Sequence, residues 1–245
     1  SAAIAAERWV GRGDEQAAEE AAAAAMREAL NAVDFTGHVV VGEVDIPILN
    51  VGESVGTGNG PELDIALEAL EGTTLTAKAM PNALAVIAAA PKGGLLQVPD
   101  LYMEKLAIGP GYERGVVDLD ASAGENAIRL AKAKGVDVRE ITACVLDRPR
   151  HEKIIADLRK VGVRINLIPD GDVAGAINTA MPETAIDMYV GQGKAPEGVL
   201  AAAALRCAGG QMQARFVFRN DAEKYQAQRM GLKDEIGRAS CRERV

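Results

Sequence analysis

Carboxylate side chains stand at points of the sequence where an apolar run ends. Glu43, Glu68 and Glu71 each follow such a run, and Glu197 lies at the start of a predicted helix. Carboxylate oxygens are the ligands that Mg²⁺ and Mn²⁺ prefer. Two such ions neutralise a phosphate group and lower the pKa of a bound water that attacks phosphorus. The grouping therefore indicates metal-assisted phosphate chemistry, although each acid taken alone is better explained as a solvated surface charge.

The two residues that follow Glu71 suit the same chemistry. Gly72 lets the backbone approach a phosphate closely because it has no Cβ atom. The hydroxyl group of Thr73 is placed to orient the attacking water molecule. Glu71-Gly72-Thr73 is therefore the predicted catalytic segment.

Two polar segments in the second half of the chain are candidates for binding an anionic sugar. Arg148-Pro149-Arg150-His151 places two guanidinium groups on one turn, where they can fork onto phosphate oxygens. A solvated loop that leads into a helix explains the same segment equally well. Asp170-Gly171-Asp172 can accept hydrogen bonds from sugar hydroxyls, but capping of the next helix is the more ordinary role of these residues.

Strands that alternate with helices must position these segments, which predicts an α/β fold. In such folds, polar segments that follow strand ends are where ligands bind. The apolar run at residues 83–90 suits a central strand, although its alanines also fit a helix. The other predicted strands cover residues 39–41, 63–67, 141–146, 163–168 and 185–190, and the predicted helices cover residues 17–33, 124–134, 151–161, 173–180 and 197–207.

The pattern of predicted strands and helices changes near residues 115–120, which predicts two halves. No linker is long enough to make these halves independent. Residues 1–118 are the predicted metal-binding half and residues 119–234 the predicted substrate-binding half. Residues 235–245 show no apolar period and back-translate to a common sequencing adapter, so we expect this tail to be an artefact. Residues 1–7 have the composition of a helix interior, and we expect the chain to be truncated at both ends.

Composition excludes several classes of protein. The 245 residues carry a formal net charge of −8 and show no basic patch, which argues against a nucleic-acid partner. Nothing resembles a signal peptide or an apolar stretch long enough to span a bilayer. The cysteines Cys144, Cys207 and Cys241 lack the spacing of a disulfide framework or a zinc site. We therefore expect a protein of the reducing cytoplasm.

An ordered set of motifs covers nearly all of residues 1–233. The motifs are Trp9-Val10-Gly11-Arg12-Gly13-Asp14, Val55-Gly56-Thr57-Gly58, Glu71-Gly72-Thr73, Pro81-Asn82-Ala83, Tyr102-Met103-Glu104-Lys105, Ile108-Gly109-Pro110, Arg148-Pro149-Arg150-His151, Pro169-Asp170-Gly171-Asp172-Val173-Ala174 and Ala195-Pro196-Glu197-Gly198. In this order they resemble class II fructose-1,6-bisphosphatase. The resemblance implies a layered α-β-α-β-α sugar-phosphatase sandwich, incomplete at its C-terminus, that forms a homo-oligomer when full length. It also implies Mg²⁺- or Mn²⁺-dependent removal of the 1-phosphate of fructose 1,6-bisphosphate in gluconeogenesis, and some members also take sedoheptulose 1,7-bisphosphate.

The resemblance also implies a role for each matching residue. Glu71 and Thr73 are the implied catalytic residues. The implied metal ligands are Glu19, Glu43, Glu68, Glu71 and Glu197. The implied substrate-binding residues are Gly72, Thr73, Tyr102, Arg148, Pro149, Arg150, Asp170, Gly171, Asp172 and Lys194.

Four departures from the family pattern keep a second hypothesis open. Glu19 and Glu68 stand where the family has aspartate, and Lys194 replaces a glycine that lies against the substrate. The loop after Glu43 is shorter by about three residues than the family's acidic loop, because Val44-Asp45-Ile46-Pro47 follows directly. The leading hypothesis is a working phosphatase, and the alternative is a relative that binds sugar phosphate without efficient turnover. An altered copy of an active gene is a third possibility. A nucleotide-binding domain is disfavoured, because the sequence lacks the glycine fingerprint of such domains.

Overall fold

The computed structural model of the chain describes residues 1–232 and the backbone of residues 237–240. The chain forms two compact units, Ser1–Gln97 and Val98–Val245. The predicted boundary at residue 118 therefore falls inside the second unit. The division into a metal-binding half and a substrate-binding half stays a prediction.

The first unit combines a four-stranded mixed sheet with three helices. The strand order is β2-β1-β3-β4, in which β3 runs parallel to β1 and antiparallel to β4. The elements are α1 (Ala2–Glu7), α2 (Glu15–Leu30), β1 (Thr36–Val41), β2 (Ser54–Val55), β3 (Glu62–Glu71), α3 (Thr73–Ala77) and β4 (Leu84–Pro91).

Helix α2 forms because an alanine-rich sequence follows a good capping residue. The Asp14 side chain accepts a hydrogen bond of 3.0 Å from the backbone N–H of Ala17, which satisfies one of the free donors at the helix start. Ala18, Ala22 and Met26 recur at a spacing of four residues and are buried in the core of this unit. The helix thereby covers one face of the sheet and presents its other side to solvent.

The second unit contains a six-stranded mixed sheet and five helices in its described part. The strand order is β10-β9-β5-β8-β6-β7, with β6 parallel to both β7 and β8 and with β5 antiparallel to β8 and β9. The elements are β5 (Tyr102–Ile108), α4 (Ala123–Lys134), β6 (Thr142–Leu146), α5 (Glu152–Val161), β7 (Arg164–Ile168), α6 (Asp172–Ile177), β8 (Met188–Lys194), α7 (Ala195–Ala208), β9 (Gln211–Val217), α8 (Asp221–Arg229) and β10 (Gly237–Ser240).

Two mixed sheets with their helices confirm the predicted α/β class and agree with a layered sandwich. Helices α4, α5 and α7 end at the predicted glycines, Gly135, Gly162 and Gly209, each with a positive φ angle. Among the described residues, no helix is both long enough and apolar enough to cross a membrane.

Three predictions about strands need correction. The run at residues 83–90 forms β4, which lies at an edge of its sheet and not at the centre. Its residues alternate between half-buried and exposed, a pattern that an alanine-rich sequence hides. Strand β3 continues through Glu68 to Glu71 instead of ending at residue 67. Strand β8 begins at Met188, later than predicted, and reaches Lys194.

The sequence did not predict β5, β9 or α8. Strand β5 is paired on both sides and brings Tyr102 and Lys105 into the sheet. Residues 237–240 of the predicted tail form β10, which pairs antiparallel with β9. The rest of that tail, residues 235–236 and 241–245, lies outside the described residues, and the origin of the whole tail stays a prediction.

Candidate functional site

Glu43 follows β1 and is held close to β3. The residue is 5% exposed, and its Oε1 accepts a hydrogen bond of 2.7 Å from the backbone N–H of Ala69. The loop behind it is closed by Asn50, whose side-chain amide donates to the carbonyl oxygens of Glu43 and Ile46, both at 2.9 Å. A carboxylate thus lies in the interior of the first unit beside the strand that carries two of the other predicted metal ligands, Glu68 and Glu71.

Glu68 and Glu71 lie in the last part of β3. The pairing of β3 with β4 shifts its register between these two residues, which marks a bulge. Glu68 is half-buried, whereas Glu71 is 5% exposed and pairs with Leu84 of β4. The bulge therefore lies between two predicted metal ligands, and their side chains have other relative positions than they would have in a regular strand.

Gly72 makes the turn from β3 into α3. Its φ angle of 83° lies in the left-handed region, and a Cβ atom there would come within 2.8 Å of Leu75 Cδ1. The next residue, Thr73, donates a hydrogen bond of 3.4 Å from its hydroxyl to Glu15 Oε2. Glu19 is half-buried one turn further along α2, on the same helix face as Glu15. The first unit thus brings Thr73 to the helix that carries a predicted ligand.

Tyr102 opens β5 and lies beneath two guanidinium groups in the second unit. Arg150 Cζ is 5.3 Å from the centroid of the tyrosine ring, and Arg219 Cζ is 5.6 Å from it. Tyr102 pairs across the sheet with Lys194 of β8. The Nζ atom of Lys194 lies 3.7 Å from Asp100 Oδ1. Three predicted substrate-binding residues therefore meet at one end of this sheet.

The turn that carries the two predicted substrate-binding arginines is hydrogen-bonded to the backbone of Gln192. His151 Nε2 accepts a hydrogen bond of 2.8 Å from the Gln192 N–H, and Arg150 donates to the Gln192 carbonyl oxygen from Nε and Nη2 at 3.2 and 3.0 Å. Pro149 begins the 3₁₀ turn at Pro149–His151. Because these contacts use the backbone of Gln192, the identity of its side chain does not decide them.

His151 is fully buried and therefore held in its neutral form. Its Nδ1 lies 2.8 Å from the carbonyl oxygen of Leu146, so Nδ1 carries the proton and Nε2 is free to accept. Burial lowers the pKa of His151, and the positive charges of Arg150 and Arg148 act in the same direction. The imidazole is thus a neutral support for the arginine turn.

Asp170-Gly171-Asp172 stands at the start of α6. Asp170 Oδ1 lies 3.9 Å from Arg148 Nη2, which joins the two predicted substrate-binding segments. Gly171 has a φ angle of 87° and makes the turn into the helix. Asp172 Oδ2 accepts a hydrogen bond of 2.6 Å from Lys105 Nζ, and these residues are 8% and 1% exposed. The segment is therefore anchored at both of its acids.

Glu197 lies in the first turn of α7 and has a shielded oxygen atom. Its Oε2 is buried and, among the described residues, has no hydrogen-bond partner. Burial raises the pKa of Glu197, and the positive charge of Lys105 opposes that effect. An unsatisfied buried carboxylate oxygen is a costly group that a cation or a proton would stabilise.

The donor chemistry fits a hard divalent cation, because the five predicted ligands are all carboxylates. The unsatisfied Oε2 of Glu197 agrees with that fit. Within the described part of the chain, however, no three His, Cys, Asp or Glu side chains converge closely enough to hold a metal ion. The ligand set stays a prediction.

Comparison with known proteins shows which family the sequence matches. Residues 1–240 match the family of bacterial fructose-1,6-bisphosphatases that glpX encodes. The chain belongs to the glpX-encoded bacterial fructose-1,6-bisphosphatase family. It is 46% identical over 226 residues to the fructose-1,6-bisphosphatase 1 class 2 of Escherichia coli strain K12, across 91% of this chain and 67% of the relative. The class 2 enzymes of Escherichia coli O6:H1 and Shigella flexneri give the same figures.

Membership of the glpX family confirms the resemblance inferred from the motifs, and the enzymes of this family are metal-dependent in general. Three residues near the predicted ones were missed as candidates. Lys105 was quoted in a motif without a role, and its position within an apolar strand was the available signal. Glu15 and Arg219 gave no local signal, because their contacts arise only in the folded chain.

Proposed function

We propose that this chain carries out the metal-dependent hydrolysis of the 1-phosphate of fructose 1,6-bisphosphate. The observation that carries the proposal is the 46% identity to class 2 fructose-1,6-bisphosphatases over 91% of the chain. A match over 226 of the 245 residues includes parts of both units. The reaction class is hydrolysis of a phosphoric monoester, in gluconeogenesis.

In this proposal carboxylate side chains attract the metal. Glu43 and Glu71 are the leading ligands, because Glu71 is a buried carboxylate in β3 and Glu43 is one beside it. Glu19, Glu68 and Glu197 complete the proposed set. When bound, a divalent cation would neutralise phosphate charge and acidify a water molecule. We propose Mg²⁺ or Mn²⁺, since an all-oxygen donor set suits both.

The residues after the metal ligands act on the reacting phosphate. Gly72 has no Cβ and turns the backbone so that a phosphate can approach it closely. The Thr73 hydroxyl accepts and donates hydrogen bonds and so orients the attacking water. Glu15 Oε2 accepts a hydrogen bond of 3.4 Å from the Thr73 hydroxyl and so supports that orientation. The chain thus supplies orientation and close approach, while the cation supplies charge.

The residues of the second unit bind the remainder of the substrate. Arg148 and Arg150 provide guanidinium groups for phosphate oxygens, and Tyr102 provides a ring on which Arg150 is held. Asp170 and Asp172 accept hydrogen bonds from sugar hydroxyls. Gly171 and Pro149 set the two turns, and Lys194 adds a cation at the same end of the sheet.

The location, assembly and substrates of the protein belong to the same proposal. We propose a cytoplasmic enzyme that assembles as a homo-oligomer, with fructose 1,6-bisphosphate as its substrate and sedoheptulose 1,7-bisphosphate as a second one. The net charge of −8 supports the absence of a nucleic-acid partner, and we propose no membrane partner.

Phosphate release from fructose 1,6-bisphosphate tests the proposal. We expect turnover that requires Mg²⁺ or Mn²⁺, stops on addition of a chelator and returns when the metal is restored in excess. Calorimetry with the same substrate is the matched measurement. Binding heat without phosphate release, at saturating metal, would overturn the proposal in favour of a non-hydrolysing relative.

A further inference from the structure

Two guanidinium groups share one tyrosine ring in the second unit. Arg150 and Arg219 lie 5.3 and 5.6 Å from the centroid of Tyr102, although they come from a turn after β6 and from the end of β9. Like charges repel, and here the carboxylate of Glu223 is paired with Arg219 and compensates one of the two charges. Tyr102 is thus the centre of a cluster that keeps the positive charge of Arg150.

Each arginine is fixed in a different way: Arg150 by a neutral carbonyl group and Arg219 by a carboxylate. Arg150 is held by the neutral carbonyl oxygen of Gln192, and among residues 1–232 no carboxylate forms an ion pair with it. Arg219 is held by Glu223, which accepts from its Nε at 2.7 Å and from its backbone N–H at 2.7 Å. Glu223 therefore orients Arg219, and Arg150 retains its full charge.

The two phosphates of a sugar bisphosphate make different demands on the protein. The phosphate that reacts needs the metal, the hydroxyl of Thr73 and close approach at Gly72. The phosphate that does not react needs about two positive charges without a metal, and a pair of guanidinium forks supplies these. In the described residues the Tyr102 cluster offers two guanidinium groups, and the charge of Arg219 is shared with Glu223.

We propose that Arg219 binds the non-reacting phosphate of the sugar bisphosphate together with Arg150, and so determines the preference for bisphosphates over monophosphates. This inference rests on the proposed function. The ring of Tyr102 is the platform that sets the spacing of the two guanidinium groups, and Glu223 is the positioning residue for Arg219. The Arg219 side chain is 62% exposed, so the N–H groups that do not contact Glu223 are accessible to a ligand.

Substitution of Arg219 in the full chain tests this role with two substrates. For Arg219→Gln we expect the KM for fructose 1,6-bisphosphate to rise about tenfold to a hundredfold, because one charge-assisted interaction is lost, with kcat within about twofold. The kcat/KM for fructose 1-phosphate, which lacks the second phosphate, should not change. Arg219→Lys should restore part of the loss, because it keeps the charge and loses the fork.

A matched control separates a phosphate contact from a structural effect. Arg229→Gln changes an exposed arginine at the end of α8 and should leave both substrates unaffected. Urea unfolding of each variant checks that the fold is intact. An equal loss of kcat/KM on both substrates, or no change with the bisphosphate, would overturn the inference.

The same variants distinguish failure of this inference from failure of the proposed function. If the unsubstituted chain releases no phosphate, the proposed function fails, and calorimetry with fructose 1,6-bisphosphate then tests Arg219. Binding that is at least tenfold weaker in Arg219→Gln than in Arg229→Gln would support the inference. Equal binding by the two variants would contradict it.

Discussion

The two units of the chain carry different kinds of candidate residue. In the first unit the predicted metal ligands are carboxylates of α2, of the last part of β3 and of the segment after β1, and a left-handed glycine, Gly72, shapes the backbone after β3. In the second unit most of the candidates are cations and acids that are tied to one another and to the backbone. Arg150 and His151 bind the backbone of Gln192, and Lys105 binds Asp172. A metal can bring carboxylates together when it binds, whereas a binding surface without a metal needs prior fixation by the protein.

The largest expected effect concerns the buried ion pair of the second unit. Lys105→Met leaves Asp172 as an uncompensated charge in the interior, which costs about 3–5 kcal/mol of stability. Urea unfolding measures this loss. As a control, Lys92→Met removes the exposed partner of Glu62 and should leave stability nearly unchanged. A small loss for Lys105→Met would show that the second unit does not depend on this pair.

The next effect concerns the glycine turn of the first unit. Gly72→Ala forces a side chain into a left-handed backbone and against Leu75, so we expect a strain of about 1–3 kcal/mol. Displacement of Thr73 by about 1 Å should reduce kcat roughly a hundredfold. Gly58→Ala is the matched control, because Gly58 has a φ angle of 82° but nothing within 4 Å of its Cβ position. If both variants keep full turnover, the shape of the turn does not serve catalysis.

The smallest effect is a pH dependence in the second unit. Burial lowers the pKa of His151 below its unfolded value, so the unfolded chain binds this proton first as pH falls. The stability that neutral His151 contributes is complete above about pH 6.5 and is lost as pH decreases below that value, by at most about 1.4 kcal/mol per pH unit. We therefore expect the unsubstituted chain to lose more stability than His151→Gln between pH 7 and pH 5.5. Equal losses would mean that His151 is not held neutral. All other side chains are the same in the two proteins, so their contributions cancel in the comparison.

Sequence patterns predicted what local physics determines. The glycines that end α4, α5 and α7 place the C-terminal ends of those helices within about one residue. For Gly72 the sequence indicated only a close approach of the backbone to phosphate, and its left-handed turn is a finding of the structure.

Long-range pairing is what the sequence could not show. Lys105 is a charged residue in a largely apolar strand, and its partner Asp172 lies 67 residues later in the chain. Strand β5 was missed because Glu104 and Lys105 break its apolar pattern, and each is compensated by a distant partner, Arg215 or Asp172. Similarly, β4 looked central because alanine content reports burial poorly. The gathering of carboxylates into a metal site depends on side-chain geometry that spacing does not determine, and it stays a prediction.

A metal titration of phosphate release from fructose 1,6-bisphosphate tests the contrast between the units most directly. It compares the unsubstituted chain with Glu71→Gln and Arg150→Gln. We expect Glu71→Gln to raise the metal concentration at half-activation and to lower kcat by about a hundredfold or more, with little change in KM. Arg150→Gln should raise KM about tenfold or more and leave the metal half-activation point unchanged. If both variants alter the same parameter, or if the unsubstituted chain releases no phosphate at saturating metal, the assignment of metal chemistry to the first unit and substrate binding to the second is wrong.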